Sequence, residues 1–168
     1  MATTRNVERK RGRVARGRVA ERPTGPVPPV LLFDTNILLD VALARSPWAV
    51  AATTLLAQAE LGTVRGHVAA HAVTTLYYLV ERAHGRRQAL EAVRSTLAVL
   101  DVVPLSRADF AQALSLGLGD FEDAVQAVAA VRAGADAVIT RNARDFRGAP
   151  VETRSPEQVL VALGLPGR

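Results

Sequence analysis

From Val30 onward the chain alternates between two hydrophobic rhythms. Short runs of consecutive apolar residues mark strands buried on both faces, and longer stretches with apolar positions every three or four residues mark helices. Val30 to Phe33 is the first apolar run, and a helix near Asn36 to Ala44 follows it. Ser46 and Pro47 predict the N-cap and first residue of a second helix reaching about Leu61, which Gly62 to Gly66 breaks. His67 to Ala70 predicts a second strand, and Ala72 to His84 a helix with Val73, Leu76, Tyr77 and Val80 on one face, stopped by Gly85. A further helix over Arg86 to Leu97 leads into a strand at Val99 to Val103, which Pro104 ends. Ser106 and Asp109 have capping-box spacing for a helix to Leu116, and Gly117 to Gly119 turns the chain. The next helix begins at Asp120 or Phe121 and ends at Gly134. Ala124, Val125, Ala127, Val128 and Val131 make it apolar almost all round, as a central buried helix requires. Ala137 to Thr140 predicts a strand, Asn142 to Phe146 a turn, Pro150 to Glu152 a weak edge strand, and Ser155 with Pro156 caps a closing helix. Such alternation predicts an α/β domain whose parallel sheet is covered on both faces.

Length and composition narrow the function classes. A chain of 168 residues, 49% hydrophobic, suits one domain with a proper core. The absence of cysteine excludes disulfides, thiolate metal sites and cysteine nucleophiles. No apolar run reaches the roughly 18 residues of a membrane span, and no apolar signal core follows the basic N-terminus, so the sequence reads as soluble and cytoplasmic. The net charge of +5 is unevenly distributed. Residues 1 to 29 carry 8 Arg or Lys and 2 acids, for +6, which leaves 13 basic and 14 acidic residues, for −1, in 30 to 168. The first 29 residues are thus expected to be a disordered basic tail, and 30 to 168 the folded domain. As a phosphate-binding arm the tail would raise affinity for nucleic acid; as a solvated extension it would do nothing.

The chemistry lies in four aspartates. Asp34 follows the first apolar run and should emerge at the carboxyl end of its strand. Asp120 and Asp123 are three apart near a helix start, which puts both on one face where the helix dipole favours anions. Asp145, with Asn142, comes just after the strand ending at Thr140. If that strand neighbours the first, the acids converge at the carboxyl edge of the sheet, the usual ligand crevice of open α/β folds. Clustered carboxylates either take up protons or hold a hard divalent cation, and Mg²⁺ or Mn²⁺ with a phosphodiester is the simplest combination. Such a metal polarises the phosphoryl group and activates a water. Taken singly, Asp34 and Asp120 also suit helix N-caps, and Asp145 a turn.

The segments LLFDTNILLDV and DFEDAVQAVAAVRAGADAVITRNARDF, with the spacing between them, resemble PIN-domain ribonucleases, including VapC-type toxins of bacterial toxin–antitoxin pairs. The resemblance covers about residues 30 to 163. It implies a three-layer α/β/α fold with a parallel sheet of four to five strands, Mg²⁺ or Mn²⁺ dependence, and RNA cleavage leaving a 5′-phosphate. It makes Asp34, Asp123 and Asp145 the catalytic acids, adds Asp120 to the metal set, and gives Thr35, Asn36, Thr140 and Asn142 supporting places. Besides RNA, an antitoxin and a second copy of the chain are its candidate partners. The chain departs from the family at one point: where the second acid is usually a glutamate, HAVTTLYYLVER has Thr75. Glu81 lies about 240° further round the helix, so Asp120 and Glu122 are the candidates to restore that charge. A subgroup with a LYY-type helix also lacks the glutamate.

Two other functions compete. Phosphoryl transfer through an aspartyl phosphate also begins with an aspartate after the first parallel strand, but it calls for a lysine, and the only lysine here is Lys10, in the tail. A catalytically weak PIN fold that binds RNA or protein would be consistent with Thr75.

Overall fold

The computed structural model describes residues 27–167. The expected tail therefore lies, up to residue 26, outside the described residues. Five strands form one parallel sheet in the order β3-β2-β1-β4-β5: β1 Val30–Phe33, β2 Arg65–Ala69, β3 Asp101–Val103, β4 Ala137–Ile139 and β5 Glu152–Arg154. Seven helices flank it: α1 Thr35–Ala42, α2 Ala49–Glu60, α3 Ala70–His84, α4 Arg86–Val99, α5 Arg107–Leu116, α6 Phe121–Ala133 and α7 Pro156–Ala162. This is the α/β/α architecture that the sequence pattern predicts.

The sheet is wound in two directions from β1, with β2 and β3 on one side and β4 and β5 on the other. The central pair β1 and β4 is thus a topological switch point, and its carboxyl end is open because the flanking connections leave it on opposite faces. β1 is buried at Leu31, Leu32 and Phe33, and β4 throughout, so neither strand shows the alternation of a half-exposed sheet. α6 packs across the sheet against β1, β2, β3 and β4. Its residues Ala124 to Ala130 are all buried, as the apolar pattern requires.

The structure moves several predicted boundaries. Ser46 is not an N-cap: α2 starts at Ala49, whose N–H bonds to the Arg45 carbonyl at 2.8 Å, so the backbone satisfies the helix start without a side chain. β2 begins at Arg65 and includes Gly66, which had marked a break. A side chain at Gly66 would run into Leu100, Ala59 and Phe33, so the glycine permits close packing within a strand. Val99 belongs to α4, because the Leu100 N–H continues the helical ladder to Thr96. The edge strand lies later than Pro150, which has no N–H to donate; it pairs Glu152 to Arg154 with Ala137 to Ile139. The capping box of Ser106 with Asp109 is formed, and Ser155, which caps α7 as expected, makes a second box with Gln158.

Candidate active site

β1 ends and α1 begins at Asp34, so this residue both caps a helix and sits at the sheet's carboxyl edge. It is 4% exposed, and its N–H bonds to the Ile139 carbonyl at 3.0 Å, locking it to the end of β4. Three side chains donate to its carboxylate. Gln126 Nε2 reaches Oδ1 at 2.8 Å, the Thr140 hydroxyl reaches Oδ2 at 2.7 Å, and Asn36 Nδ2 also bonds Oδ2. Asn36 further bridges to Thr140 Oγ1 at 3.1 Å, and the Asn142 N–H donates to that same oxygen at 3.0 Å. The β4 strand and the DTN segment are thus joined by one polar network.

Burial raises the pKa of Asp34 to about 6 against the lowering effect of Thr140 and the local backbone, and the charge of Glu122 raises it further. Asp123 is raised to about 7, first by burial and then by the charges of Asp34, Asp120, Asp145 and Glu122. The acids of the three segments therefore converge electrostatically. They differ in placement. Asp120 turns back to cap α6, accepting from the Glu122 N–H at 2.7 Å. Asp145 stands on an exposed turn, 3.7 Å from Arg144 Nε, and Asn142 is exposed beside it. Among the described residues no three His, Asp or Glu side chains stand close enough to enclose a metal ion by themselves. The donor set still fits Mg²⁺ or Mn²⁺, since these ions take one or two carboxylates and complete an octahedron with water and phosphate oxygens.

Gln126 and His71 join the site without having been assigned to it from the sequence, and Glu122, a candidate there to restore the missing charge, joins it with them. Gln126 is fully buried and also donates to Thr35 Oγ1 at 3.1 Å. Its signal was present: it is the one polar residue in the apolar stretch Ala124 to Val131, one turn after Asp123. Glu122 accepts from the Thr35 hydroxyl at 2.9 Å. His71, in the first turn of α3, places Nε2 3.8 Å from Glu122 Oε1; burial lowers its pKa, with Glu122 opposing. Thr75 lies one turn along α3 from His71 and bonds the His71 carbonyl at 3.3 Å, bringing no charge.

A second polar cluster adjoins the first. Arg141, between Thr140 and Asn142, extends its Nε to 2.8 Å from Oδ2 of the fully buried Asp40 and lays its guanidinium 4.3 Å from the Trp48 ring centroid. This pairing ties the loop after β4 to α1.

The family model for the PIN domain matches residues 30–144, more than half of the chain. The chain belongs to the PIN domain family. No curated protein matches it in sequence. Solved structures with a similar fold include VapBC2 from Rickettsia felis, bound to a DNA fragment from their promoter (TM-score 0.60, 16% identity, 75% of this chain and 98% of that one). VapBC-1 from nontypeable Haemophilus influenzae aligns with TM-score 0.58, 14% identity and coverages of 76% and 98%. FitAcB from Neisseria gonorrhoeae aligns with TM-score 0.54, 18% identity and coverages of 75% and 97%. At these identities the likeness is one of fold. This PIN domain has, among its described residues, no helix long and apolar enough to cross a membrane.

Proposed function

We propose that this PIN domain is a Mg²⁺- or Mn²⁺-dependent endoribonuclease and the toxin of a toxin–antitoxin pair. The crowding of Asp34 and Asp123 carries the reading. Both are lifted above the ordinary carboxyl range, Asp34 to about 6 and Asp123 to about 7, by burial first and then by neighbouring acids, with Asp34 foremost at Asp123, so ionising them in the metal-free protein costs both desolvation and repulsion. A divalent cation is the natural counter-charge.

Asp34 and Asp123 are the primary ligands, with Asp120 and Asp145 adding field and outer contacts. Thr140, Asn36 and Gln126 hold the Asp34 carboxylate in one orientation, and Thr35 extends that support to Glu122. The bound ion would polarise the scissile phosphoryl group and ease deprotonation of water. Toxin function is supported by the resemblance to VapC-type sequences and by the fold shared with VapBC2, VapBC-1 and FitAcB. A groove of about 450 Å³ between α1, α2 and α4, lined by Leu38, Val41, Leu56, Ala92 and Val99 among others, suits an apolar helix of an antitoxin.

Incubating the purified full chain with a mixed RNA pool and Mn²⁺ tests the enzyme. The reading expects cleavage that EDTA stops. The uncharged Thr75 supports a second reading, a PIN fold that binds RNA without cutting it. That reading predicts RNA retention on a filter without cleavage under the same conditions.

A further inference from the structure

Glu122 lies between Asp120 and Asp123 in sequence, but it is held differently from the other acids in the cluster. Asp120 is occupied by its own helix, and Asp145 faces solvent beside Arg144. Glu122 instead reaches out from the first turn of α6 to two other elements. Its Oε1 accepts from the hydroxyl of Thr35 on α1 and faces Nε2 of His71 on α3.

Thr35 is 5% exposed and fixed in turn by Gln126, the residue that also bonds Asp34. The Glu122 carboxylate is therefore anchored to the same buried framework as the Asp34 carboxylate. Both ring nitrogens of His71 are enclosed and, among the described residues, without hydrogen-bond partners, so this ring walls one side of the acid. The Glu122 side chain is 41% exposed, and among the described residues its hydrogen bond to Thr35 and its approach to His71 both engage Oε1, not Oε2. Holding a long, charged side chain still beside other carboxylates is unfavourable in an empty cluster. It becomes favourable when a cation is present. α3 brings no carboxylate of its own to this point, since Thr75 bonds back to its own helix.

We infer that Glu122, oriented by Thr35 and His71, is a direct oxygen ligand of the divalent cation and supplies the carboxylate that α3 lacks. This rests on the metal-dependent reading above. The contribution of Glu122 to the raised titration of both Asp34 and Asp123 agrees with its placement.

The test is calorimetric titration of Mn²⁺ alone, without RNA, into the full chain. Glu122→Gln keeps an oxygen for the Thr35 hydroxyl and removes the charge, and it should weaken Mn²⁺ binding by about 10- to 100-fold. Its metal-free form should withstand more urea than wild type, whereas a purely structural role would lower that midpoint. Glu122→Asp, one methylene shorter, should weaken Mn²⁺ binding while keeping the charge. Asp34→Asn separates the two ideas. If it loses Mn²⁺ while Glu122→Gln binds within about twofold of wild type, Glu122 is no ligand and the metal-dependent reading stands. If Asp34→Asn also binds as wild type does, both fail.

Discussion

Replacing Asp123 by Asn should stabilise the metal-free protein, and by an amount that depends on pH. In the folded state this carboxyl is lifted from an ordinary 3.8 to about 7, by burial first and then by four neighbouring acids. A folded-state pKa above the unfolded one means that the folded protein binds the proton more tightly. The penalty for ionising Asp123 is therefore absent below about pH 4, grows as pH rises, and is complete above pH 7. Fully felt, the shift would be worth about 4 kcal/mol. Asp123 is only partly buried, and water on its open side reduces the figure to about 2 kcal/mol. Loss of an acid from the first turn of α6 takes back about 0.5 kcal/mol. The net expectation is that Asp123→Asn gains about 1–2 kcal/mol at pH 8 and less than half of that at pH 5. His67 and His71, both lowered by burial, lose stability as pH falls through about 6.5, but they are common to the two proteins and cancel in the difference. Urea unfolding followed by circular dichroism, in EDTA, is the suitable assay, because guanidinium salt would screen the repulsion being measured. Equal or lower stability of Asp123→Asn at pH 8, or a gain that does not change with pH, would refute the electrostatic account of the cluster.

Two further outcomes follow from the polar network. Gln126→Leu removes the donor to Asp34 Oδ1 and should weaken Mn²⁺ binding about tenfold; calorimetry with unchanged affinity would deny Gln126 a supporting role. Arg141→Met leaves the enclosed Asp40 with, among the described residues, only Arg45, 4.0 Å away, and should lower stability by about 3 kcal/mol and alter the emission of Trp48, the only tryptophan. Adding Asp40→Leu should restore most of the loss, and a double variant no more stable than the single one would contradict the buried-pair argument.

Much of this arrangement was legible in the sequence because it rests on local rules. Apolar runs gave β1 and β4, capping chemistry gave the starts of α5 and α7, and glycines gave the ends of α3 and α6. The convergence of Asp34 with Thr140 followed once β1 and β4 proved to be neighbours. What escaped depends on packing between distant segments. Gly66 looks like a break until Leu100 is placed above it. Ser46 looks like a cap until Arg45 supplies the bond from its backbone. Glu122 and His71 are 51 positions apart in sequence, and neither signals the other without the fold. Asp40 and Arg141 likewise form a pair only across the sheet edge.

The central claim is that these acids serve metal-dependent RNA cleavage. Its most direct test compares Mn²⁺-dependent cleavage of a mixed RNA pool by the wild-type chain, Asp34→Asn and Asp123→Asn, all shown to be folded by circular dichroism. Cleavage by wild type and background levels from both variants is the predicted result. Wild-type cleavage by either folded variant would contradict the claim.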